Sequence, residues 1–148
     1  MPQSPNSDDA ARAFLERDAF AREMGIELLE ARDGEAVARL NITDRHLNGI
    51  GLAHGGAIFS LADLAFAAAA NSGDAIAAAI HVSIAYIHPG RAGQTLTAHA
   101  RRTAGGGKME TFQVAVRDET GEILADFQGM AYRKTGRPVE TKSREIHV

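Results

Sequence analysis

Residues 54–71, with the sequence HGGAIFSLADLAFAAAAN, are the stretch that decides the fold of this 148-residue chain. After the two glycines, most positions hold alanine or leucine, the residues with the highest helix propensities. The stretch therefore predicts one long helix from about residue 56 to residue 71, ended by Asn71-Ser72-Gly73. Because almost all of its side chains are apolar, this helix is expected to be buried on most sides.

Segments typical of β-strands flank the predicted helix on both sides. Two precede it and are joined by Asp33-Gly34, a strong hairpin-turn signal. Four follow it, so that the predicted strands cover residues 26–32, 35–42, 75–88, 94–103, 109–118 and 123–133. Alternation of apolar and polar residues predicts two sets of side chains that each share one face, namely Ala36, Ala38 and Leu40, and Phe112, Val114 and Val116.

The order of these elements predicts the fold class. A first helix is predicted over residues 9–24, capped by Asp8 or Asp9 and ended by Gly25. Strands grouped apart from helices indicate an α+β protein. The simplest arrangement is an antiparallel sheet wrapped around the central helix. The whole chain, residues 1–148, is predicted to be one domain with loose segments at 1–8 and 135–148.

The composition disfavours or excludes several classes of function. The formal net charge is −3, whereas nucleic-acid binders carry a strong positive field, so no nucleic-acid partner is expected. The chain has no cysteine, which excludes disulfides, thiolate catalysis and cysteine-built metal sites and favours a cytoplasmic location. No apolar run reaches the roughly 20 residues of a membrane span. The first residues do not resemble a signal peptide.

Asp63 is the only ionisable residue between Gly55 and Gly73. One interpretation is that it marks the solvent side of the helix. Its neighbours at helical spacing are small, however, whereas a solvated face usually carries longer polar side chains. The other interpretation is that this face meets a second helix, in this or another subunit. Asp63 would then lie beside the contact, with restricted water and a tunable pKa.

The motif His54-Gly55-Gly56 stands at the start of the predicted helix. The first turn of a helix has unpaired N–H groups and positive dipole character, and glycines let a ligand approach them closely. A carbonyl placed there would be polarised, and an oxyanion forming on it would be stabilised. The alternative is that the glycines only make the turn into the helix. Asn48, in the preceding loop, would orient a water or substrate, or would only form a turn.

Other residues give weaker signals. His46 and His54 lack helical metal-ligand spacing, so no metal site is predicted. Ser60 has no GxSxG context, which disfavours a serine nucleophile. The segment Gly105-Gly106-Gly107-Lys108 lacks the spacing of a P-loop, so it is interpreted as a hairpin loop or a weaker phosphate contact.

Three motifs together resemble the hotdog-fold thioesterases of the phenylacetic acid degradation (PaaI) type. They are His46-Leu47-Asn48-Gly49, His54-Gly55-Gly56 and the helical segment 59–67 followed by Asn71, and the later Tyr86-Ile87-His88-Pro89-Gly90 fits the same layout. The resemblance covers residues 20–134. It implies five or six antiparallel strands around the long helix, sheets joined edge to edge in a dimer, dimers paired into a homotetramer, and active sites between subunits.

The resemblance also implies hydrolysis of an acyl-CoA thioester and roles for individual residues. The Gly55 N–H, in the motif that begins with His54, would polarise the thioester carbonyl. Asp63 of the other subunit would act as general base or as nucleophile, and Asn48 would help to position the water or the thioester. No metal or other cofactor is implied, because coenzyme A is part of the substrate.

The coenzyme A arm is expected to run past seven residues, namely Ser83, His88, Gly90, Arg91, Gly106, Gly107 and Lys108. The chain departs from the family in two places. Many relatives have Arg-Pro-Gly where this chain has His88-Pro89-Gly90, so a phosphate contact is expected to be missing here or to have moved to Arg91. Some hotdog thioesterases have serine or threonine one turn after the acid, where this chain has Ala67.

Two alternative functions remain open from the sequence. A hotdog hydratase or dehydratase would need a histidine paired with a carboxylate for proton transfer at carbon. A non-catalytic acyl-CoA-binding module would not need the Asp63 carboxylate. Phe59, Phe66 and the alanines are predicted to line a pocket for an aryl or medium-chain acyl group. The phenylacetyl or hydroxyphenylacetyl preference is implied by the resemblance alone.

Overall fold

The computed structural model describes residues 13–73 and 75–134 of the chain. Two helices are α1 (Ala19–Met24) and α2 (Gly55–Ala70), and a short 3-10 turn covers Asp44–His46. The strands are β1 (Glu27–Arg32), β2 (Glu35–Asn41), β3 (Ile76–Tyr86), β4 (Thr95–Gly105), β5 (Met109–Arg117) and β6 (Ile123–Lys134).

The six strands form an antiparallel sheet in the order β1-β2-β4-β5-β6-β3. The predicted α+β class is confirmed, and the number of strands is six. The β1–β2 hairpin turns at Asp33-Gly34, whose φ angles are 51° and 80°. Because Asp and Gly tolerate positive φ angles better than most residues, this dipeptide was a reliable signal for the turn.

Helix α2 packs against the sheet, and their contact forms the hydrophobic core. Phe66 of α2 is fully buried, with its ring centroid 5.5 Å from that of Phe112 and 5.7 Å from that of Phe127. A Cβ on Gly129 would lie only 2.7 Å from the Phe66 ring, so β6 approaches the helix closely there. Both predicted sets of inward-facing side chains are confirmed as buried, namely Ala36, Ala38 and Leu40, and Phe112, Val114 and Val116.

The predicted first helix is interrupted. Residues 13–16 are helical, but Asp18 leaves helical geometry (φ −98°, ψ 86°), and α1 begins at Ala19. The Asp18 Oδ1 atom accepts the Ala21 N–H at 2.9 Å, which satisfies a donor that a helix start leaves unpaired. One continuous helix over residues 9–24 is therefore wrong, although Gly25 ends α1 as predicted. Asp8 and Asp9 lie outside the described residues.

Strand β3 lies at an edge of the sheet and pairs only with β6 among the described residues. Most of its residues are exposed, including Ile80 at 53%. The Asn71 side chain bonds the N–H and C=O groups of Ala77, near the beginning of β3. Beyond Ala77, the edge presents unpaired backbone N–H and C=O groups. Such an edge is a template for pairing with another chain.

The predicted loose segments 1–8 and 135–148 lie outside the described residues, so their prediction stays untested. No helix in the described part of the chain is both long enough and apolar enough to cross a membrane.

Candidate active site

His54 caps the start of α2 with its own side chain. Its Nδ1 atom accepts the Gly56 N–H at 2.8 Å, so the proton of the neutral ring is on Nε2. A Cβ on Gly56 would lie 2.9 Å from that Nδ1 atom, which explains why the second position after His54 is glycine. The residue is otherwise exposed, which leaves its Nε2–H available to a ligand.

Gly55 contributes a free backbone N–H at the same helix end. No acceptor for it lies among the described residues, whereas the N–H groups of Gly56, Ala57 and Ile58 all have partners. A donor at the first turn of a helix is reinforced by the positive end of the helix dipole. This N–H is therefore suited to bind a carbonyl oxygen and the oxyanion formed from it.

Tyr86, at the end of β3, packs against Gly55. Its hydroxyl donates to the Gly55 carbonyl oxygen at 2.9 Å, and a Cβ on Gly55 would lie 3.2 Å from the tyrosine ring. The contact fixes the helix start against the sheet. No local sequence pattern predicts this contact, because the two residues lie 31 positions apart.

Asp63 lies two turns beyond Gly55, on the wall of a cavity of about 560 Å³. The cavity lies between α1, the 3-10 turn and α2. No described residue donates a hydrogen bond to the Asp63 carboxylate or forms an ion pair with it. The apolar part of the lining includes Phe20, Met24, Leu47, Phe59 and Leu64. Within this chain, α1 lies across the cavity from Asp63. The predicted contact of this face with a helix of another subunit stays a prediction.

Only one of the two phenylalanines predicted to line a substrate pocket does so. Phe59 lines the cavity, whereas Phe66 belongs to the core because it points between Phe112 and Phe127. The α1 side of the cavity has no local signal in the sequence, because α1 reaches α2 only through tertiary packing.

The cavity changes the acidity of Asp63. Burial raises the pKa of its carboxyl above the ordinary value, and the negative charge of Asp18 on the same cavity raises the pKa further. A carboxylate with a raised pKa and no donor is a stronger base than a solvated one. It is poised to take a proton from a bound water, or to attack as a nucleophile.

Asn48 forms a turn, which was one of its two predicted roles. Its Oδ1 atom accepts the N–H groups of Ile50 and Leu52 at 3.0 Å and 3.1 Å. Its side-chain amide N–H groups have no acceptor among the described residues, so they remain available to a ligand. Asn48 does not line the cavity that holds Asp63.

His46 connects the 3-10 turn to α1 from a buried position. Its Nδ1 atom accepts the Thr43 N–H at 2.9 Å, and its Nε2 atom lies 2.7 Å from the Met24 carbonyl oxygen. Both ring nitrogens are therefore used within the fold. Across residues 13–73 and 75–134, no three His, Asp or Glu side chains are grouped so that they could hold a metal ion.

Gly55 and Asp63 lie about two turns apart on α2. They are separated by eight positions of α2. With a rise of 1.5 Å per residue, that is about 12 Å along the helix axis. An oxyanion donor lies about 3 Å from the carbonyl oxygen, whereas a general base reaches the carbonyl carbon through a water. His54, Gly56 and Asp63 of one chain all line the same cavity.

The residues predicted to bind coenzyme A fall into separate groups. His88, Gly90 and Arg91 follow β3, close to the start of α2, where the Gly90 carbonyl oxygen accepts the Ala53 N–H at 2.8 Å. Gly90 itself is buried, and a Cβ on it would lie 2.9 Å from the Ala53 Cβ, so its visible role is packing. His88 Nδ1 lies 2.9 Å from the Ile123 carbonyl oxygen and 3.1 Å from Glu122.

Gly106, Gly107 and Lys108 lie at the opposite end of the sheet, in the β4–β5 hairpin. Strand β4 has 11 residues, and at about 3.3 Å per residue it separates the two groups by roughly 30 Å. Ser83 is exposed on β3 between the two ends. One chain does not bring the seven residues together.

A buried carboxylate near this hairpin was also missed. Glu110 is 3% exposed and lies 2.8 Å from the Arg102 guanidinium and 3.2 Å from that of Arg133. It shares the inward face of β5 with Phe112. A charged residue in phase with a buried strand face was the signal that could have revealed it.

Comparisons with known proteins identify the family. The family model described as Thioesterase superfamily matches residues 50–125. The chain belongs to this superfamily. Its sequence is 37% identical over 126 residues to the acyl-coenzyme A thioesterase PaaI of Escherichia coli, covering 85% of this chain and 90% of that protein. The enzyme is a hydrolase that acts on thioesters, and the expected resemblance to the PaaI type is confirmed.

Solved structures support the same relationship. The E. coli PaaI structure superimposes on this thioesterase with a TM-score of 0.82 and 35% identity, covering 88% of this chain and 98% of that chain. The hotdog fold is thereby confirmed. A Streptococcus mutans protein solved with bound acetyl CoA superimposes with a TM-score of 0.72 and 25% identity, covering 76% and 90% of the two chains.

We predict that Asp18→Asn moves the acidic limb of the pH–rate profile to lower pH. The charge of Asp18 raises the pKa of Asp63, so its removal lowers that pKa, and the carboxylate form persists to lower pH. Asparagine caps a helix as well as aspartate does, so α1 is retained. The other ionisable residues on the cavity, Arg45, His46 and His54, are unchanged.

The measurement is kcat/KM for a thioester between pH 4 and pH 8. Asp44→Asn is the matched control, because Asp44 is an exposed acid that does not line this cavity. An unchanged acidic limb in Asp18→Asn, or an equal shift in both variants, would contradict the prediction.

Proposed function

We propose that this thioesterase hydrolyses acyl-CoA esters with aryl-acyl or medium-chain acyl groups to the free acid and coenzyme A. The observation that carries the proposal is the Asp63 carboxylate, which has no donor among the described residues and stands on the wall of a largely apolar cavity. The name of the E. coli relative and the acetyl CoA bound to the S. mutans structure support the choice of an acyl-CoA substrate.

In the proposed reaction, the Asp63 carboxylate takes a proton from water as the oxygen attacks the thioester carbon. The carbonyl oxygen becomes an oxyanion that accepts the Gly55 N–H at the positive end of α2. The oxyanion then collapses, the C–S bond breaks, and the departing thiolate takes the proton from Asp63. In the nucleophilic alternative, Asp63 attacks the carbon itself, the thiolate leaves, and water hydrolyses the resulting anhydride. Neither route needs a metal or a redox cofactor.

The reacting groups are proposed to come from two subunits. The separation of about 12 Å along α2 between Gly55 and Asp63 favours a partner chain as the source of one of these two groups. The free edge of β3 supports a dimer in which two β3 strands pair and the sheets become continuous. In an antiparallel pair, the end of β3 that carries Tyr86 and contacts Gly55 lies beside the beginning of the partner's β3.

The same dimer accounts for the divided set of coenzyme A residues. Antiparallel pairing brings the His88–Arg91 end of one subunit towards the end of the partner that carries Gly106, Gly107 and Lys108. A coenzyme A arm reaching across this boundary would meet both groups. The pairing of dimers into a homotetramer stays an expectation from the resemblance, as does a cytoplasmic location, which the cysteine-free composition favours.

The test is thiol release from a panel of coenzyme A esters. The panel holds phenylacetyl, hydroxyphenylacetyl, benzoyl, acetyl, octanoyl and palmitoyl esters, each assayed with the wild type and with Asp63→Asn. We expect release by the wild type with aryl-acyl or octanoyl esters, and its loss in the variant. If no ester is cleaved but the folded protein binds them, the non-catalytic binding module takes the place of this proposal. Hydration of an unsaturated acyl-CoA without thiol release would favour the hydratase alternative.

We predict that two inactive variants restore activity when their subunits are exchanged. Asp63→Asn retains the Gly55 N–H, and Gly55→Pro retains the Asp63 carboxylate, so a mixed dimer has one complete site. Random exchange of equal amounts makes half of the dimers mixed, and recovery should approach about a quarter of wild-type activity.

The control is a mixture of Asp63→Asn with the double variant Gly55→Pro/Asp63→Asn. Its mixed dimers contain no complete site, so activity should stay at the level of the inactive parents. Native mass spectrometry establishes that exchange has occurred. Proven exchange without recovery in the first mixture would contradict a site shared between subunits.

A further inference from the structure

The cavity beside Asp63 has one wall that belongs to α1 alone. Phe20 and Met24 occupy positions four apart on this helix and therefore lie on one face of it, and both line the cavity. Phe20 is 64% exposed, which is unusual for a phenylalanine. Its exposed ring lines the same cavity as the Asp63 carboxylate of α2.

The C-terminal end of α1 is firmly held. The Met24 carbonyl oxygen lies 2.7 Å from His46 Nε2, and the Glu23 carbonyl oxygen accepts a guanidinium N–H of Arg45 at 2.8 Å. Gly25 ends the helix in the left-handed conformation. Met24 is thereby fixed in the cavity wall, and Phe20 projects one turn earlier from a supported helix. Hydrogen bonds within the fold therefore fix this wall in place.

We propose that Phe20 is a specificity-determining residue that covers the acyl group of the thioester and favours aryl over short aliphatic groups. This inference rests on the proposed acyl-CoA hydrolysis. An acyl carbon within reach of Asp63 places the rest of the acyl group in the same cavity, against Phe59 and Leu64 on one side and Met24 on the other. The volume of the cavity lies within the range of small-molecule sites and is large enough for an aryl or medium-chain group.

An exposed aromatic ring contributes most to the free energy of binding when the ligand that it covers is flat and apolar. Aromatic pairs attract one another beyond simple burial of area, and the Phe20 ring has exposed surface left to bury. An acetyl group is too small to reach the ring, so it gains nothing from Phe20. The Phe20 ring should therefore affect the selectivity between phenylacetyl and acetyl esters.

The experiment compares kcat/KM for phenylacetyl-CoA, octanoyl-CoA and acetyl-CoA in the wild type, Phe20→Ala and Phe20→Leu. We expect Phe20→Ala to lower kcat/KM for phenylacetyl-CoA by about tenfold and to leave acetyl-CoA within about twofold. Phe20→Leu should keep most of the octanoyl-CoA activity and lose more with phenylacetyl-CoA. Leu29→Ala is the matched control, because Leu29 is an exposed apolar residue on β1 that does not line the cavity.

Dissociation constants separate the failure of this inference from the failure of the proposed function. They are measured for thioether analogues that carry phenylacetyl-like or methyl groups on coenzyme A and cannot be hydrolysed. If the wild type cleaves no ester, the proposed function fails, and the ratio of the two constants in wild type and Phe20→Ala still tests the ring. Equal effects of Phe20→Ala on all acyl groups, or no effect on any, would overturn the role of Phe20. A wild type that binds neither analogue would also overturn it.

Discussion

Asp63→Asn is expected to lower kcat by about 10² to 10⁴, the range that a general base contributes. Asparagine has nearly the same shape as aspartate but can neither accept a proton from water nor attack the thioester carbon at a useful rate. No described residue donates a hydrogen bond to Asp63 or forms an ion pair with it, so the substitution removes only the charge repulsion from Asp18. The dissociation constant of a thioether analogue should therefore remain close to that of the wild type.

The same variant is expected to be more stable than the wild type at neutral pH. Burial, with a further contribution from Asp18, raises the pKa of Asp63 in the folded state above its value in the unfolded chain. A raised pKa in the folded state means that folding favours the protonated form of Asp63. That contribution to stability is fully present below the ordinary pKa of aspartate and is lost as the pH rises through the raised value. Asparagine is neutral at every pH, so the variant does not lose this stability at neutral pH.

Thiol release and thermal unfolding, measured at pH 7 and at pH 3.5, check both expectations. The gain in Tm should be present at pH 7 and should shrink at the lower pH. Asp44→Asn is the control, because an exposed acid outside the cavity should change neither turnover nor the pH dependence of Tm. Near wild-type turnover in Asp63→Asn would remove Asp63 from the mechanism, whatever its effect on stability.

Local patterns explain why most of the fold was predictable. The alternation of Phe112, Val114 and Val116 and the turn at Asp33-Gly34 depend on backbone geometry within a few residues, so the strand boundaries agree closely with the structure. The apolar run of α2 is likewise a local signal. The single acid within that run, Asp63, marked the site because a charge on a buried helix needs a specific environment.

Some features depend on competition between alternative backbone hydrogen bonds or on contacts between distant residues. These features were not predictable from local patterns. The helix break at Asp18 arose because its side chain captured the Ala21 N–H, and the local pattern alone does not decide between that cap and a continuing helix. The cavity wall formed by Phe20 and Met24 depends on how α1 packs against α2. The hydrogen bond between Tyr86 and Gly55 likewise joins residues that meet only in the folded sheet.

Gly55 provides an opportunity to remove one backbone donor with little other change. Proline is favoured at the first position of a helix, where its missing N–H has no helical partner. Proline also requires the preceding residue to be extended, and His54 already has φ −62° and ψ 135°. Gly55→Pro therefore deletes the N–H proposed to hold the oxyanion and keeps the helix start. The added side chain meets the Tyr86 ring, to which a Cβ would lie at 3.2 Å.

We expect Gly55→Pro to lower kcat by about 10² to 10³, the effect of removing one oxyanion donor. Gly55→Ala is the matched control, because it places the same Cβ against Tyr86 but keeps the N–H, so its loss should be at least tenfold smaller. The comparison uses single-turnover thiol release, with circular dichroism and Tm to show that both variants fold. If alanine and proline lower kcat equally, the effect comes from crowding against Tyr86, and the Gly55 N–H does not stabilise the transition state. A large loss confined to proline assigns the oxyanion to this one donor, since the next N–H, that of Gly56, is already bonded to His54.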